Sequence, residues 1–373
     1  MKPLPRALYI HIPWCIKKCP YCDFNSHEQG NPDFAGYGRA LLHDLEADLE
    51  RYGSIPFVSL FFGGGTPSLF PPQHLEPLFQ RLKDLNLVSD ITEITLEANP
   101  GTLDLGHLSG YHDLGINRLS VGVQSFNQGV LKALGRIHDR DQAVAMIEHA
   151  KAIGFTRLNV DLMHGTPGQT PAIALEDLNI VRDLEISHLS WYQLTIEPNT
   201  AFYSKPPKLP EEETLEATEA VGYEAINSMG LQHYEVSAFA KAGEEVKHNV
   251  NYWEFGDYLG IGAGSHGKIT SERGFMRTQR TRQPSNYLAR TNFYATERPI
   301  LDGYRGAECL MNGLRLKSGI SYTYFQERTG LDPIEFRTTH LMEADRLGLL
   351  KPERFQASRF GWRHLNHILE MLI

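Results

Sequence analysis

Cysteine is scarce in this chain: four residues in 373, with Cys309 far from the other three. So few thiols exclude the cysteine-dense framework of a secreted disulfide scaffold. Long apolar runs are missing too, and none approaches the roughly 20 residues that a membrane-spanning helix needs. There is no basic excess. Lysine and arginine total 36 against 45 acidic residues, a net charge of −9. With no cationic stripe to meet phosphates, nucleic acid is excluded as the main partner. The N-terminal run M-K-P-L-P-R-A-L-Y-I-H-I-P has too short an apolar stretch, and no small-residue cleavage site, for a secretory signal. Internal repeats and low-complexity tracts are absent. The remainder, 41% hydrophobic and 22% charged, is an ordinary globular composition. A cytoplasmic location is expected, where thiols stay reduced, and peripheral contact at a membrane is compatible with it.

The three grouped cysteines, Cys15, Cys19 and Cys22, lie in W-C-I-K-K-C-P-Y-C-D-F. Spacings of four and three on a short loop after a predicted strand allow them to converge on one soft metal centre. Thiolates select zinc, copper(I) or iron–sulfur clusters. A structural zinc site and a plain iron–sulfur cluster both take four protein ligands, yet the local count stops at three. Three thiolates on a four-iron cluster leave one iron open to a small molecule. A zinc site completed by His11 or His27 uses the same spacing, and the cysteines by themselves leave both readings open.

Short β-branched runs alternate with amphipathic helical stretches. Strands are predicted at Ala7–Pro13, Val58–Phe62, Glu93–Ala98, Arg118–Val123, Arg157–Met163 and His188–Ile196. Helices are predicted at Phe34–Tyr52, Gln73–Leu85, Gln142–Ile153 and Ala172–Leu184. Each strand leads through turn residues into a helix, the signature of βα units and a parallel sheet. Six units fit an α/β fold, an incomplete (β/α)6 barrel rather than the closed eight. The rhythm breaks at K-P-P-K-L-P-E-E-E, where the acids after Pro210 suit a helix N-terminus. Strands at Gln232–Ala238 and Tyr258–Gly262 follow. From about Leu301 the pattern turns mostly helical, with Ile334–Leu347, an extended Lys351–Ser358 and a last helix Trp362–Leu372, in a small winged-helix-like domain. The expected division is 1–205, 206–300 and 301–373.

In parallel α/β architectures ligands sit at the carboxyl ends of the strands, and the chemically suggestive residues fall there. The cysteine loop follows the first strand. F-F-G-G-G-T-P-S follows the second, where Gly63, Gly64 and Gly65 would let backbone approach a ligand closely. Glu97 ends the third strand and Gln124 the fourth, with Arg136 and His138 just beyond. On the fifth, Asn159 and Asp161 point to one side by strand alternation. Paired polar groups in an apolar strand are costly without partners, so four consecutive tips of this kind favour a ligand site over isolated structural hydrogen bonds.

Cys-x-x-x-Cys-x-aromatic-Cys, with Tyr21 as the aromatic, resembles the cluster loop of the radical S-adenosylmethionine (SAM) superfamily. There the open iron of a 4Fe-4S cluster is chelated by SAM, whose reductive cleavage gives methionine and a 5′-deoxyadenosyl radical. The set Y-I-H-I-P-W-C-x-x-x-C-P-Y-C-D-F, G-G-G-T-P-S, L-E-A-N-P-G, S-V-G-V-Q-S-F, L-G-R-x-H and D-L-M-H-G-x-P is similar to one branch of it. That branch holds oxygen-independent coproporphyrinogen III dehydrogenase (HemN-like) and HemW-type haem chaperones. The resemblance spans roughly the whole chain and is densest before Thr200. It implies cluster ligation by Cys15, Cys19 and Cys22. It implies SAM contacts from Tyr9, Tyr21, Gly64, Gly65, Thr66, Glu97, Gln124, Arg136 and Asp161.

Two departures separate the chain from the dehydrogenase. Phe24 stands where that enzyme has a further cysteine, and the arm before the cluster loop is short. K-H-N-V-N-Y-W matches the H-N-x-x-Y-W signature of the chaperone branch at His248, Asn249, Tyr252 and Trp253. A histidine beside aromatics suits haem, with imidazole as axial ligand, which makes His248 the candidate haem ligand; a polar corner in a core would use the same residues. The expected function is therefore a haem chaperone that passes haem to membrane haemoproteins. The alternatives are radical decarboxylation of coproporphyrinogen III and a zinc-stabilised barrel without radical chemistry.

Overall fold

The computed structural model describes residues 5–101, 105–271 and 274–372; the first four residues of the N-terminal run lie outside the described residues. Six parallel strands run side by side in chain order: Arg6–Ile12, Phe57–Gly64, Glu93–Ala98, Arg118–Gln124, Arg157–His164 and His188–Gln193. Alternation divides their side chains between two faces. Leu8, Ile10, Leu60, Phe62, Leu96, Val121, Val160 and Leu189 are buried in the main core, beneath helices such as Phe34–Tyr52 and Arg140–Ile153. The other face is half-open at one level of every strand, at Tyr9, Phe61, Glu97, Gly122, Asp161 and Tyr192. Those six positions line the barrel lumen.

The helices begin and end where their sequences dictate. Asp139 and Gln142 form a reciprocal capping box ahead of Arg140–Ile153, and Gly154 closes that helix in the left-handed conformation, which glycine adopts without steric cost. One helix is pinned by buried charge. Asp44 and Asp48 of Phe34–Tyr52 both pair with Arg280, at 2.8 and 2.7 Å. Tyr287 Oη and the Gly262 amide donate to the second Asp44 oxygen. Such a cluster offsets its desolvation only because almost every lone pair has a donor.

The sheet extends beyond the expected six strands. Asp257–Ile261 pairs in parallel with the first strand on its free side. The sequence pattern predicts this added strand, as Tyr258–Gly262, but none of the antiparallel strands it leads into, His266–Ser271, Gly274–Arg280 and Tyr294–Pro299. At the other end the predicted strand Gln232–Ala238 is a hairpin, Gln232–Glu235 and Ala238–Ala240, whose second arm pairs antiparallel with the sixth parallel strand. Among the described residues the result is a sheet of twelve strands in open order, with Tyr294–Pro299 and Gln232–Glu235 at the edges. Of the described residues after 301, most are helical and surround a second core that includes Cys309, Phe325, Phe355 and Ile368. The predicted helix Ile334–Leu347 is two, Pro333–His340 and Met342–Arg346. The break at Leu341 (φ −122°, ψ 11°) turns that side chain fully into the core. The last predicted helix is likewise split at His364 into Arg359–Arg363 and Leu365–Glu370.

Candidate functional site: the cysteine loop and barrel lumen

The first strand ends at Ile12, and a two-residue ladder, Trp14–Cys15 against His27–Glu28, brackets the cysteine loop. Each sulfur meets a hydroxyl or guanidinium. Thr66 Oγ1 donates to Cys15 Sγ at 3.4 Å and Arg136 Nη1 to Cys19 Sγ at 3.4 Å, while Cys22 Sγ and Ser26 Oγ lie 3.8 Å apart. Burial pushes the Cys15 and Cys22 thiols up, and charge on the neighbouring cysteines adds to it. The three thiols thus share one neighbourhood without forming a closed site. Among the described residues, no three His, Cys, Asp or Glu side chains stand close enough together to hold a metal ion.

The donor set nevertheless fits an iron–sulfur cluster. Hydrogen bonds to sulfur are what tune and steady cluster thiolates, and here they come from three separate segments. Arg136 Nε is also buried without a partner, beside a small cavity that Thr66 and Asn99 help to line. A zinc site has less footing. His11 is engaged through both ring nitrogens, Nδ1 to Tyr9 Oη at 3.0 Å and Nε2 to the Asn25 carbonyl at 2.8 Å. His27 Nε2 faces Asn25 Oδ1 at 3.2 Å.

The glycine run has a packing role that the sequence did not suggest. Gly64 has φ +116°, and a Cβ there would fall 2.5 Å from the His11 ring; one on Gly65 would fall 2.6 Å from the Trp14 carbonyl. The space glycine leaves is filled by the protein's own first strand and cysteine loop. The Gly65 and Thr66 amides donate to Ile12 and Trp14 carbonyls. The run therefore locks the loop against the second strand, and the Gly64 amide turns inward to Glu97 Oε2 at 3.2 Å.

Glu97 and Asp161 are the lumen's acids. Burial, then the charge of Asp161, pushes Glu97 up to about 8, against the pull of the Gly64 amide. Asp161 is also raised by burial, although Ser190, Asn159 and Ser120 oppose the shift. Asn159 Nδ2 donates to Asp161 Oδ1 at 2.7 Å and Ser120 Oγ to Oδ2 at 3.0 Å. Asn159 Oδ1 is in turn held by His188 Nδ1 at 2.6 Å, and His188 Nε2 meets Tyr234 Oη at 2.8 Å. Gln124 sits at a register shift with φ +70°, an uncommon conformation for a side-chain-bearing residue. Tyr192 Oη donates to its Oε1 at 2.6 Å. Arg136 bridges lumen and loop, its Nη2 donating to the Gly122 carbonyl at 2.6 Å. Tyr21 packs its ring on Phe202 at 6.3 Å, at the edge of the site.

Two sequence expectations are placed differently from the rest. His138 does not share the ligand face: its Nε2 is tied to the Val123 carbonyl at 3.0 Å, in a buried position. His248, the candidate haem ligand, projects into the lumen from the helix Lys247–Trp253. Its Nδ1 lies 3.2 Å from Ser59 Oγ, and its ring is 4.9 Å from Phe61 and 6.3 Å from Tyr9. Burial holds its pKa down to about 3, so it is a neutral imidazole. Ser120, His188, Tyr192 and Tyr234 were missed from the sequence. Only the i, i+2 polar alternation on the strands could have flagged the first three, and nothing local marks Tyr234.

A loop of three cysteines and a lumen lined by acids and arginine at the strand tips are the features of a radical SAM protein, and the family models agree. Residues 9–180 match the radical SAM superfamily and residues 305–364 the HemN C-terminal domain. "Heme chaperone HemW" of Haemophilus influenzae is 43% identical, with 99% of this chain and 98% of that protein covered. The protein of the same name from Escherichia coli is 41% identical over the same shares. The chain belongs to the HemW family. The solved structure of coproporphyrinogen III oxidase (HemN) from Escherichia coli superposes with a TM-score of 0.82 at 23% identity, over 99% of this chain and 90% of that one; at that identity the likeness concerns the fold. Superfamily membership implies a 4Fe-4S cluster and SAM. Among the described residues no helix is long and apolar enough to cross a membrane.

Proposed function

We propose that this chain is a haem chaperone on a radical SAM scaffold, which binds haem and hands it to recipient haemoproteins at the cytoplasmic face of a membrane. The observation that carries the reading is its likeness over 99% of its length to proteins named for that role. Phe24 supports it: where the dehydrogenase has a further cysteine, this chain carries a phenyl ring that is 61% exposed. In this reading Cys15, Cys19 and Cys22 hold the cluster, with Thr66, Arg136 and Ser26 steadying their sulfurs. The cluster supplies an open iron and an electron when bound. Tyr9, Tyr21, Gly64, Gly65, Glu97, Gln124 and Asp161 form the SAM site together with Thr66 and Arg136. The ionised carboxylates of Glu97 and Asp161 would face SAM's cationic groups. Residues 1–205 carry cluster and SAM, 206–300 extend the sheet, and 301–373 form the C-terminal domain.

The test is anaerobic reconstitution followed by parallel assays of haem binding and coproporphyrinogen III conversion. Haem binding without conversion is expected. Conversion at an enzymatic rate would replace this reading with the dehydrogenase. Haem ligation by His248 is the sequence-based assignment within the proposal, and it receives support from a neutral ring whose Nε2 has no hydrogen bond among the described residues.

A further inference from the structure

The floor of the barrel carries polar groups that the cluster and SAM sites do not use. Alternation along the parallel strands puts Ser59, Glu93, Arg118 and Arg157 on the same face as Phe61, Glu97, Gly122 and Asp161, but nearer the amino ends of their strands. Ser59, Glu93 and Arg118 are almost completely buried. Polar side chains at that depth are costly without partners. All four are engaged with one segment, the approach to the helix Lys247–Trp253 and its first residues.

Arg118 Nε and Arg157 Nη1 hold Glu93 Oε2 at 3.2 and 3.5 Å. The same two guanidiniums reach Glu244, Arg157 Nε donating to its Oε2 at 3.0 Å and Arg118 Nη2 to its backbone carbonyl at 3.0 Å. Lys247 Nζ donates to the Ile91 carbonyl at 3.1 Å. The other Glu93 oxygen, Oε1, accepts the backbone N–H of His248 at 3.2 Å. The backbone that carries His248 is thereby stapled to the third, fourth and fifth strands.

Ser59 does the same for the ring. Its Oγ lies 3.2 Å from His248 Nδ1 and makes no other hydrogen bond among the described residues. Phe61, two residues on, lies against the ring at 4.9 Å and 30°. Tyr9, the other ring in reach, has its hydroxyl on His11 Nδ1. A histidine that binds iron through one nitrogen carries its proton on the other, and an acceptor for that proton fixes both the tautomer and the ring plane.

We infer that Ser59 is a positioning residue for the haem ligand: its Oγ accepts the Nδ1 proton of His248 and leaves the Nε2 lone pair to the iron. A serine that merely filled the core would leave the iron unaffected. The inference rests on the haem-chaperone reading with His248 as ligand, and its test separates the two.

Haem is titrated into the full-length, cluster-loaded protein and into Ser59→Ala, His248→Ala and the double variant. The readouts are the Soret band, the dissociation constant and the midpoint potential of the haem iron. Alanine is smaller than either side chain, so nothing is forced into the core. Ser59→Ala should weaken haem binding about tenfold, the lower end of what losing such a partner costs. It should also raise the midpoint potential, because an imidazole without an acceptor at Nδ1 is a poorer donor and stabilises ferric iron less. His248→Ala should shift the Soret band, and adding Ser59→Ala to it should change nothing further. Equal effects of Ser59→Ala in both backgrounds would mean that the serine acts on the pocket wall and not through His248, and would overturn the inference. Wild-type affinity and potential in Ser59→Ala would overturn it as well. Readouts unmoved by His248→Ala would remove the ligand, and the inference with it, while keeping the chaperone. Absence of haem binding by the wild type would remove both.

Discussion

Glu97 gives the sharpest prediction, because its ionisation couples to whatever occupies the lumen. With its carboxyl pushed up to about 8, roughly one Glu97 in ten is ionised at pH 7, and a shift of one unit is about 1.36 kcal/mol. SAM carries a sulfonium, and the proposed site would set that cation near Glu97, favouring the carboxylate. Binding should then release a proton from Glu97 below pH 8, and affinity should rise as the pH climbs from 7 to 9. The free protein is mostly protonated at pH 7 and mostly ionised at pH 9, so Glu97 contributes about tenfold over that range, close to 1.4 kcal/mol. The amino group of SAM titrates in the same window, so the readout is a difference. Calorimetry on the cluster-loaded protein is compared with Glu97→Gln, which keeps the shape and cannot ionise. The variant should bind more weakly at pH 9 and lose the Glu97 part of the pH dependence. Identical pH profiles for the two proteins would refute the placement of SAM's charge against Glu97.

Cys15→Ala should lose most of its iron after anaerobic reconstitution, whereas Cys309→Ala, buried in the C-terminal core, should keep it; iron loss in the second would overturn the three-thiolate site. Asp161→Ala takes the acceptor from Ser120 Oγ and one of two acceptors from Asn159 Nδ2 and removes a carboxylate from the proposed site, so SAM binding should weaken by about 1–3 kcal/mol, and unchanged calorimetry would sink that assignment. Arg280→Met strands Asp44 and Asp48 in the core, and thermal unfolding should show a loss of about 3–5 kcal/mol, the usual cost of breaking a buried pair from one side. Asp44 is pushed up to about 6, mainly by burial. A folded pKa above the unfolded one contributes stability that is full below the unfolded value and lost as pH rises through the folded value. The wild type should therefore lose this contribution between about pH 4 and 6, a slope that Asp44→Asn removes in pH-dependent unfolding.

Much of the frame is written locally. Phe34–Tyr52 and Glu93–Ala98 coincide with their predicted limits, because the period of a buried face and the residues that cap it are neighbours in the chain. The cysteine loop and the acids at the strand tips could be located for the same reason: they are marked by short spacings and by their place at strand ends. What the sequence could not supply is what meets what across hundreds of positions. Asp257–Ile261 lies against Arg6–Ile12, and only that pairing and its neighbours bring the helix of His248 to Ser59 and Phe61. Glycines that looked open to a ligand are filled by His11 and the Trp14 carbonyl, a fact of packing that no local pattern records. His188 steadies Asp161 through Asn159 because adjacent strands settle in one register. Periodicity and capping act within a few residues and can be read in order. Long-range pairing is selected by the total burial of the folded chain, which no short segment contains.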